Sequence, residues 1–202
     1  MIEAIAAGRM VIVVDDESRE NEGDLVCAAE TITAEQVNFM ASHGKGLICV
    51  ALENDRLDQL SLHKMVEDGS NHSPYSTAFM VSVDASDGIT TGISANDRAV
   101  TIARLADREL GAEGFVKPGH VFPLQANARG VLGRPGHTEA AVDLAKAAGL
   151  FPAGVICEIL NADGGMARMS DLEPYAEQHH LPICRVADLV AFRQQNETVP
   201  PT

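Results

Sequence analysis

The sequence predicts an α+β protein in which helices cover both faces of a mixed sheet. Apolar strand-like runs alternate with helix-like segments, but loops alone join several consecutive strands, which favours mixed strand directions over a purely parallel sheet. No repeat or low-complexity linker divides the 202 residues, and this length suits one sizeable domain. We therefore expect a single domain over residues 1–202, built as a three-layer α/β/α sandwich, with a frayed tail from about residue 196.

Each strand is predicted from an apolar run between polar or glycine-containing segments. Residues 47–52 are continuously apolar, as in a strand that is buried on both faces. Residues 77–83 alternate between apolar and polar side chains after the polar loop 67–74. In chain order, the predicted strands cover residues 10–14, 25–29, 47–52, 77–83, 155–160 and 183–186.

Capping residues predict where the helices begin and end. Thr33 and Gln36 form a capping-box pattern at the start of an early helix. Thr138 and Ser170 are expected to begin two later helices, and Gly149 to close the first of these. In chain order, the predicted helices cover residues 2–7, 34–42, 95–107, 138–148, 170–179 and 188–194.

The charge balance and the missing motifs exclude several classes of function. The chain carries 15 basic and 29 acidic residues, a net charge of −14, and it has no Trp. Nucleic acids and anionic membranes are bound by positive surfaces, so we expect neither as a partner. There is no P-loop, no GxGxxG after a strand, no GxSxG elbow and no HExxH, so nucleotide hydrolysis, dinucleotide redox chemistry and zinc proteolysis lack support.

The cysteines and the N-terminus indicate a cytoplasmic protein. The four cysteines lie in separate apolar stretches without a CxxC spacing, which favours reduced, buried thiols over disulfides or a zinc site. The N-terminus has no basic segment, and no apolar run approaches ~18 residues. We therefore predict a cytoplasmic location.

Residues 15–24 form the most informative segment, because they hold six carboxylates in ten positions directly after an apolar strand. Exposed neighbouring carboxylates repel one another by roughly 0.3–1 kcal/mol per pair, and a simple turn has no need of them. The run is typical of a loop that binds a cation, or a substrate together with a cation; a solvated acidic turn is the alternative. Arg19 favours the first interpretation, because its guanidinium can hold a phosphate or carboxylate there.

Residues 133–139 predict an anion site at the start of a helix. Glycine and proline make a tight turn, and the helix N-terminus that follows offers free N–H groups and a partial positive charge. Arg134 adds a bidentate donor, Thr138 adds a hydroxyl group, and His137 would project beside the bound anion. The alternative is a capped helix with an exposed histidine and arginine.

Two further residues are candidates for proton transfer. Glu158 lies in an apolar strand on the same face as Ile156 and Leu160, where a carboxylate must be paired, protonated or used in chemistry. An edge position that faces solvent is the alternative. His120 follows a Pro-Gly pair at the entrance to an apolar strand, where it can be a general acid or base, or have a structural role.

Five segments, taken in order, resemble the 3,4-dihydroxy-2-butanone 4-phosphate synthases of riboflavin biosynthesis. They are residues 13–24, 87–98, 118–124, 136–144 and 152–158, and the likeness extends over residues 2–193. The resemblance implies that family's fold, a homodimer with active sites at the subunit interface, and the Mg²⁺-dependent conversion of D-ribulose 5-phosphate into 3,4-dihydroxy-2-butanone 4-phosphate and formate. It implies a monofunctional member, since many relatives are fused to a GTP cyclohydrolase II domain that this chain is too short to contain.

The resemblance also implies roles for individual residues. Glu20 and His137 would be metal ligands, and His120 and Glu158 the catalytic residues that transfer protons. The substrate would be bound by Arg19, Glu20, Asp24, Arg134, Pro135, Gly136, His137, Thr138 and Glu158, with its phosphate near the turn 134–138. A divalent ion chelated by the substrate's oxygens acidifies the neighbouring C–H group. Because histidine is a somewhat soft ligand for Mg²⁺, Mn²⁺ could substitute.

A few positions depart from the usual family pattern. Gln125 stands where arginine is frequent, Arg129 and Gly130 replace a common Gly-Gly pair, and Met80 replaces a frequent threonine. None of them is a position to which a catalytic role is carried over. We therefore expect them to affect the rate of the reaction and not its presence.

Two other functions compete with this interpretation. A non-catalytic binding module is one, since a distantly similar fold occurs in YrdC-type nucleotide- and RNA-binding proteins. The acidic charge and the intact set of Arg19, Glu20, His137 and Glu158 argue against it. The other is a metal-dependent isomerase or epimerase of another sugar phosphate, which would not remove a carbon atom from its substrate.

Overall fold

One eight-stranded mixed sheet runs through the computed structural model, which describes residues 1–196. The strands are β1 (Val11–Val14), β2 (Gly23–Ala28), β3 (Cys49–Leu52), β4 (Ala78–Phe79), β5 (Val83–Ala85), β6 (Phe115–Gln125), β7 (Ala153–Glu158) and β8 (Ile183–Arg185). Their order in the sheet is β4-β6-β3-β7-β2-β1-β8, with β5 also paired to β6. The β1–β8 and β3–β6 pairs are parallel and the other pairs are antiparallel, so the prediction of mixed strand directions is confirmed.

Helices cover both faces of the sheet, as predicted for a three-layer sandwich. They are α1 (Ile2–Ala6), α2 (Ala34–Phe39), α3 (Asn54–Gln59), α4 (Ala95–Leu105), α5 (His137–Ala147), α6 (Met169–His179) and α7 (Val186–Asn196). Side-chain alternation in β1 shows how the sheet divides the core: Ile12 and Val14 pack with residues of α2, α4 and α6, whereas Val11 and Val13 pack with α1, α5 and α7. The tail predicted from about residue 196 lies outside the described residues.

The prediction of one continuous strand over residues 77–83 is wrong. The segment is divided into β4 and β5, because Val81 between them donates its N–H to the carbonyl of His63, and the pairing with β6 shifts register after Val83. The long strand β6 was predicted only in part, since Pro118 and Gly119 lie inside it and are typical strand breakers.

Helix starts also differ from the sequence-based predictions. Thr138 does not cap α5, because Gly136 is the N-cap residue and Thr138 lies inside the first turn. Ser170 lies inside α6, which begins one residue earlier, where the carboxylate of Asp171 accepts the N–H of Arg168. The helix expected to reach Ser42 ends at Phe39 and continues as a π-helical turn, Met40–Gly44.

The sheet brings distant parts of the chain together at one end. Asp24 at the start of β2 is directly opposite Glu158 at the end of β7. The loop that joins β1 to β2 and the first turn of α5 lie beside this pair. The acidic segment 15–24 and the predicted anion-binding segment 133–139 therefore lie next to each other in the structure.

Two simpler predictions can also be compared with the structure. All four cysteines are buried and free, as expected for reduced thiols. Among residues 1–196, the helices are too short or too polar for any of them to cross a membrane.

Candidate active site

Asp15 organises the acidic loop from within. Its side chain is fully shielded from solvent, and its carboxylate accepts the N–H groups of Glu20 and Glu22 at 3.0 and 2.9 Å. It also accepts a hydrogen bond from Nη1 of Arg19 at 2.8 Å. A buried N–H group left without a partner costs about 1–3 kcal/mol, so one carboxylate fixes the loop's backbone. The alternative of a solvated acidic turn holds only for the exposed residues 16–18.

Glu20 and His137, the two predicted metal ligands, lie side by side. Nδ1 of His137 is 3.4 Å from Oε2 of Glu20 and 4.0 Å from Oδ1 of Asp24. Ligand atoms of Asp15, Glu20 and His137 all lie within 4.8 Å of one another. Asp15 was not predicted as a ligand, and its oxygens already accept three hydrogen bonds.

Burial and the neighbouring charges shift the pKa values of all three side chains, His137, Asp24 and Glu20. Burial alone lowers the pKa of His137, but the carboxylates of Asp24, Glu20 and Asp15 outweigh it and raise the pKa to about 9. Burial raises the pKa of Asp24 to about 7, against the attraction of the His137 imidazolium. Hydrogen bonds from His137 and Arg19 lower the pKa of Glu20 to about 2.

The residues present fit a divalent metal ion. Oδ1 of Asp24 and Nε2 of His137 are buried atoms without a hydrogen-bond partner among the described residues. Unpaired buried polar atoms are rare in proteins and often mark a missing ion or water. Carboxylate oxygens beside an imidazole form a donor set that suits Mg²⁺ and, because of the imidazole, also Mn²⁺.

An anion site adjoins the carboxylates at the N-terminus of α5. No side chain caps this helix at Gly136, so its first N–H groups remain available. A Cβ atom at Gly136 would lie 2.8 Å from Nη1 of Arg134 and 2.9 Å from Nη2 of Arg19. Both guanidinium groups therefore face the helix terminus. Pro135 lies in a tight turn closed by the N–H of Gly136 and the carbonyl of Arg134.

Tyr75 and Thr77, which were not predicted, hold the two arginines. Arg134 donates to the carbonyl of Tyr75 from Nε and Nη2, both at 3.1 Å, and to Oγ1 of Thr77 at 3.1 Å. The guanidinium of Arg19 lies over the Tyr75 ring at 4.9 Å, and the Tyr75 hydroxyl donates to the Arg19 carbonyl. No sequence pattern predicts these roles of Tyr75 and Thr77, because the contacts join segments that are more than 50 residues apart in the chain.

One cavity of about 150 Å³ is lined both by the carboxylate–imidazole group and by the two arginines of the anion site. It is smaller than the roughly 300 Å³ of pockets for drug-sized ligands and suits a small metabolite. Two larger cavities, of about 440 and 470 Å³, border the acidic loop and Arg134, but neither is lined by His137 or Glu158. The lining of the small cavity consists of Arg19, Glu20, Glu22, Asp24, Cys49, Thr77, Phe79, Leu124, Arg134, His137, Thr138, Ile156 and Glu158.

Glu158 lies in this cavity, at the end of an interior strand. The alternative of an edge strand is wrong, because β7 is paired with β2 and β3 on its two sides. Oε2 of Glu158 accepts the N–H of Leu47 at 2.8 Å. Gly46 leaves room for this oxygen, since a Cβ atom there would lie 2.5 Å from it. The carboxylate is thus anchored through one oxygen.

His120 does not line the cavity that contains Glu158. Pro135 and Gly136 do not line it either, but they form the turn between Arg134 and His137, which do. Nδ1 of His120 is 2.7 Å from Oδ2 of Asp84, whose Oδ1 accepts the His120 N–H at 2.9 Å. Asp84 is buried, whereas the His120 side chain is 43% exposed. Within the described residues of a single chain, the His120 imidazole is therefore held in a fixed orientation at the surface. It does not share the cavity of Glu158.

Comparisons with known proteins identify the family of this chain. A family model described as 3,4-dihydroxy-2-butanone 4-phosphate synthase matches residues 1–192. The 3,4-dihydroxy-2-butanone 4-phosphate synthase of Agrobacterium fabrum is 54% identical over 95% of this chain and 89% of its own length. The riboflavin biosynthesis protein RibBA of Aquifex aeolicus is 56% identical over 98% of this chain, which spans about half (49%) of that protein.

A solved structure is also similar over nearly the whole chain. It is a 3,4-dihydroxy-2-butanone 4-phosphate synthase in complex with two magnesium ions, with a TM-score of 0.92 and 43% identity over 96% of this chain and 95% of that chain. The chain belongs to the 3,4-dihydroxy-2-butanone 4-phosphate synthase family.

Proposed function

We propose that this protein is an enzyme of riboflavin biosynthesis that converts D-ribulose 5-phosphate into 3,4-dihydroxy-2-butanone 4-phosphate and formate, with Mg²⁺ as its cofactor. One observation carries the proposal. The carboxylate–imidazole group of Glu20, Asp24 and His137 shares a small cavity with two arginines that face a helix N-terminus. A cation site beside an anion site is what a phosphorylated sugar with neighbouring oxygen ligands requires.

The anion half of the cavity would bind the substrate's phosphate. The free N–H groups at the start of α5 and the guanidinium groups of Arg19 and Arg134 converge on Gly136. Thr138, in the first helical turn, lines the same cavity. A dianion placed here is stabilised both by the helix dipole and by charge-assisted hydrogen bonds.

The cation half would hold the metal through Glu20 and His137, with Asp24 beside them. When bound, a divalent ion supplies Lewis acidity toward the hydroxyl and carbonyl oxygens of the sugar. Mn²⁺ is the natural substitute, given the imidazole ligand. Support comes from the related structure that contains two magnesium ions and from the buried, unpartnered Oδ1 of Asp24, which lies 4.0 Å from Nδ1 of His137.

Glu158 would exchange protons with the substrate's carbon skeleton. The Leu47 N–H holds one oxygen of its carboxylate, so this hydrogen bond fixes the group in the cavity. General acid or base catalysis by a positioned carboxylate contributes about 10²–10⁴-fold to a rate. Asp24, opposite Glu158 in the β2–β7 pairing, has a pKa of about 7 and is a second group that could hold a proton near neutrality.

The active unit would be a homodimer whose sites lie at the subunit interface. His120, a proton-transfer residue in this proposal, is oriented by Asp84 at the surface and lies outside the cavity of its own chain. A second copy of the chain, related by two-fold symmetry, could bring its own His120 to that cavity. A cytoplasmic location stays a prediction.

Formate release separates the proposed reaction from its alternatives. The purified protein is incubated with ribulose 5-phosphate and Mg²⁺, and formate is measured while the sugar products are followed by NMR. Formate together with a four-carbon phosphate supports the proposal. A five-carbon product alone would identify an isomerase or epimerase, and binding without turnover would identify a binding module.

A further inference from the structure

Glu139 is a buried carboxylate to which neither the sequence motifs nor the proposed reaction gives a role. It is the third residue of α5, and its side chain is 1% exposed. Its two oxygens contact different parts of the chain. Oε2 accepts a hydrogen bond from Nη1 of Arg134 at 2.8 Å, and Oε1 accepts the N–H of Asn127 at 2.9 Å.

The contacts of Arg134 show which of its N–H groups is available to a ligand. A guanidinium carries five N–H groups. Tyr75 and Thr77 accept hydrogen bonds from Nε and from Nη2, and Glu139 accepts one from Nη1. The N–H group of Arg134 that remains is therefore on Nη1, the nitrogen that faces the N-terminus of α5 at Gly136.

We propose that Glu139 is a positioning residue for recognition of the substrate's phosphate group. It holds Nη1 of Arg134 so that the remaining N–H points at the helix terminus. It also fixes Asn127, whose Oδ1 accepts the N–H of Arg129, at the start of the loop that leads to Arg134. The inference rests on the proposed function for the identity of the substrate, but not for the presence of the anion site.

Asp143 provides a matched control. It lies one turn further along α5, is 5% exposed, and holds the same loop by accepting the N–H of Val131 at 2.8 Å. It also pairs with Arg193 at 2.8 Å, and among residues 1–196 it makes no hydrogen bond or ion pair with Arg134. A role in loop folding alone predicts similar effects for both carboxylates. A positioning role predicts that only Glu139 affects phosphate binding.

The test measures binding of inorganic phosphate to the full-length protein by calorimetry, together with steady-state kinetics on ribulose 5-phosphate. Glu139→Gln keeps the size of the side chain and an oxygen for Asn127. We expect it to raise the phosphate Kd and the KM by about tenfold, with a smaller effect on kcat, because a charge-assisted contact is lost before the chemical step. Asp143→Asn should change both by less than about twofold, apart from any loss of thermal stability.

A double variant tests whether Glu139 acts through Arg134. In an Arg134→Gln background, Glu139→Gln should cause no further loss of phosphate affinity, since the group that it positions is already gone. The double variant replaces both members of the ion pair with glutamine, so no buried charge is left without its partner. It can therefore be measured even if Glu139→Gln alone does not fold. A further loss in the double variant, or equal losses for Glu139→Gln and Asp143→Asn, would overturn the inference.

The two proposals fail differently. A protein that forms no formate, yet loses phosphate affinity only in Glu139→Gln, contradicts the proposed reaction and leaves the inference intact. A protein that forms formate but whose phosphate affinity and KM are unchanged in Glu139→Gln contradicts the inference alone.

Discussion

Nδ1 of His137 lies 3.4 Å from Oε2 of Glu20, which joins the first residue of α5 to the loop between β1 and β2. Without a metal ion this contact is an ion pair. The surrounding carboxylates raise the pKa of His137 to about 9, so the imidazole is protonated at neutral pH. A metal ion that binds the same two residues needs the imidazole in its neutral form. The proton on His137 and the metal therefore compete for one place.

The first prediction is that affinity for Mg²⁺ or Mn²⁺ rises as the pH increases from 7 to 9. Below pH 9 a proton must leave His137 before the metal binds, so each pH unit should strengthen binding by at most about tenfold until the imidazole is neutral. Calorimetry in buffers of different ionisation enthalpy measures both the affinity and the proton released. His137→Gln should bind metal weakly and without this proton release. An affinity that is constant from pH 7 to 9 would contradict the assignment of His137 as a ligand.

The second prediction concerns Glu158. Glu158→Gln should lower kcat by about 10²-fold or more, because the amide cannot exchange a proton with the substrate. The fold should persist, since the amide oxygen can still accept the Leu47 N–H. Formate release and thermal melting are measured together, with the exposed Glu173→Gln on α6 as the control. Turnover at the level of the control would remove Glu158 from the mechanism.

The third prediction tests the anion site at a residue without a functional group. Gly136→Ala places a methyl group within 3 Å of both guanidinium groups, so the arginines must move away from the helix terminus. We expect the KM for ribulose 5-phosphate to rise by about tenfold, a cost of about 1.4 kcal/mol in binding. Gly69→Ala is the matched control, because a Cβ atom there meets nothing within 4 Å. If both variants have the same KM, the phosphate is bound elsewhere.

The fourth prediction tests the interface site by mixing subunits. His120→Ala and Glu158→Ala should each be nearly inactive alone. If one site uses His120 of one subunit and Glu158 of the other, a mixture that has exchanged subunits regains up to about a quarter of the wild-type activity, since mixed dimers then contain one intact site. Size-exclusion chromatography establishes the oligomeric state beforehand. Activity that does not return after exchange would place both residues in the same chain's site.

The sequence predicted most of the sheet and the central residues of the site for definite physical reasons. Buried interior strands such as β1, β3 and β7 are apolar on both faces, so their runs are visible in one dimension. Glu20 and His137 were placed together through the family resemblance, and the structure brings them within 3.4 Å. The proximity of these two residues is therefore observed, and the cation that they would bind stays a prediction.

What the sequence did not predict depends on contacts between loops. Asp15 and Glu139 lie in the two segments singled out from the sequence, but no individual role was predicted for either, and only the folded chain shows that each pairs with an arginine. Tyr75 belongs to a polar segment with no periodicity, yet it contacts Arg19 and Arg134. The separation of His120 from Glu158 could not be read from strand patterns, because alternation defines a face of the sheet but not a distance along it.

The shielded carboxylate of Asp15 has a consequence for how the cofactor comes and goes. Since it already satisfies the backbone of the β1–β2 turn, that turn has its shape before any ion arrives. Ordering a flexible segment during association would cost about 1–2 kcal/mol for each residue, and here this entropy is lost during folding instead. Exchange of the ion can then be rapid and reversible, and the polypeptide need not rearrange each time.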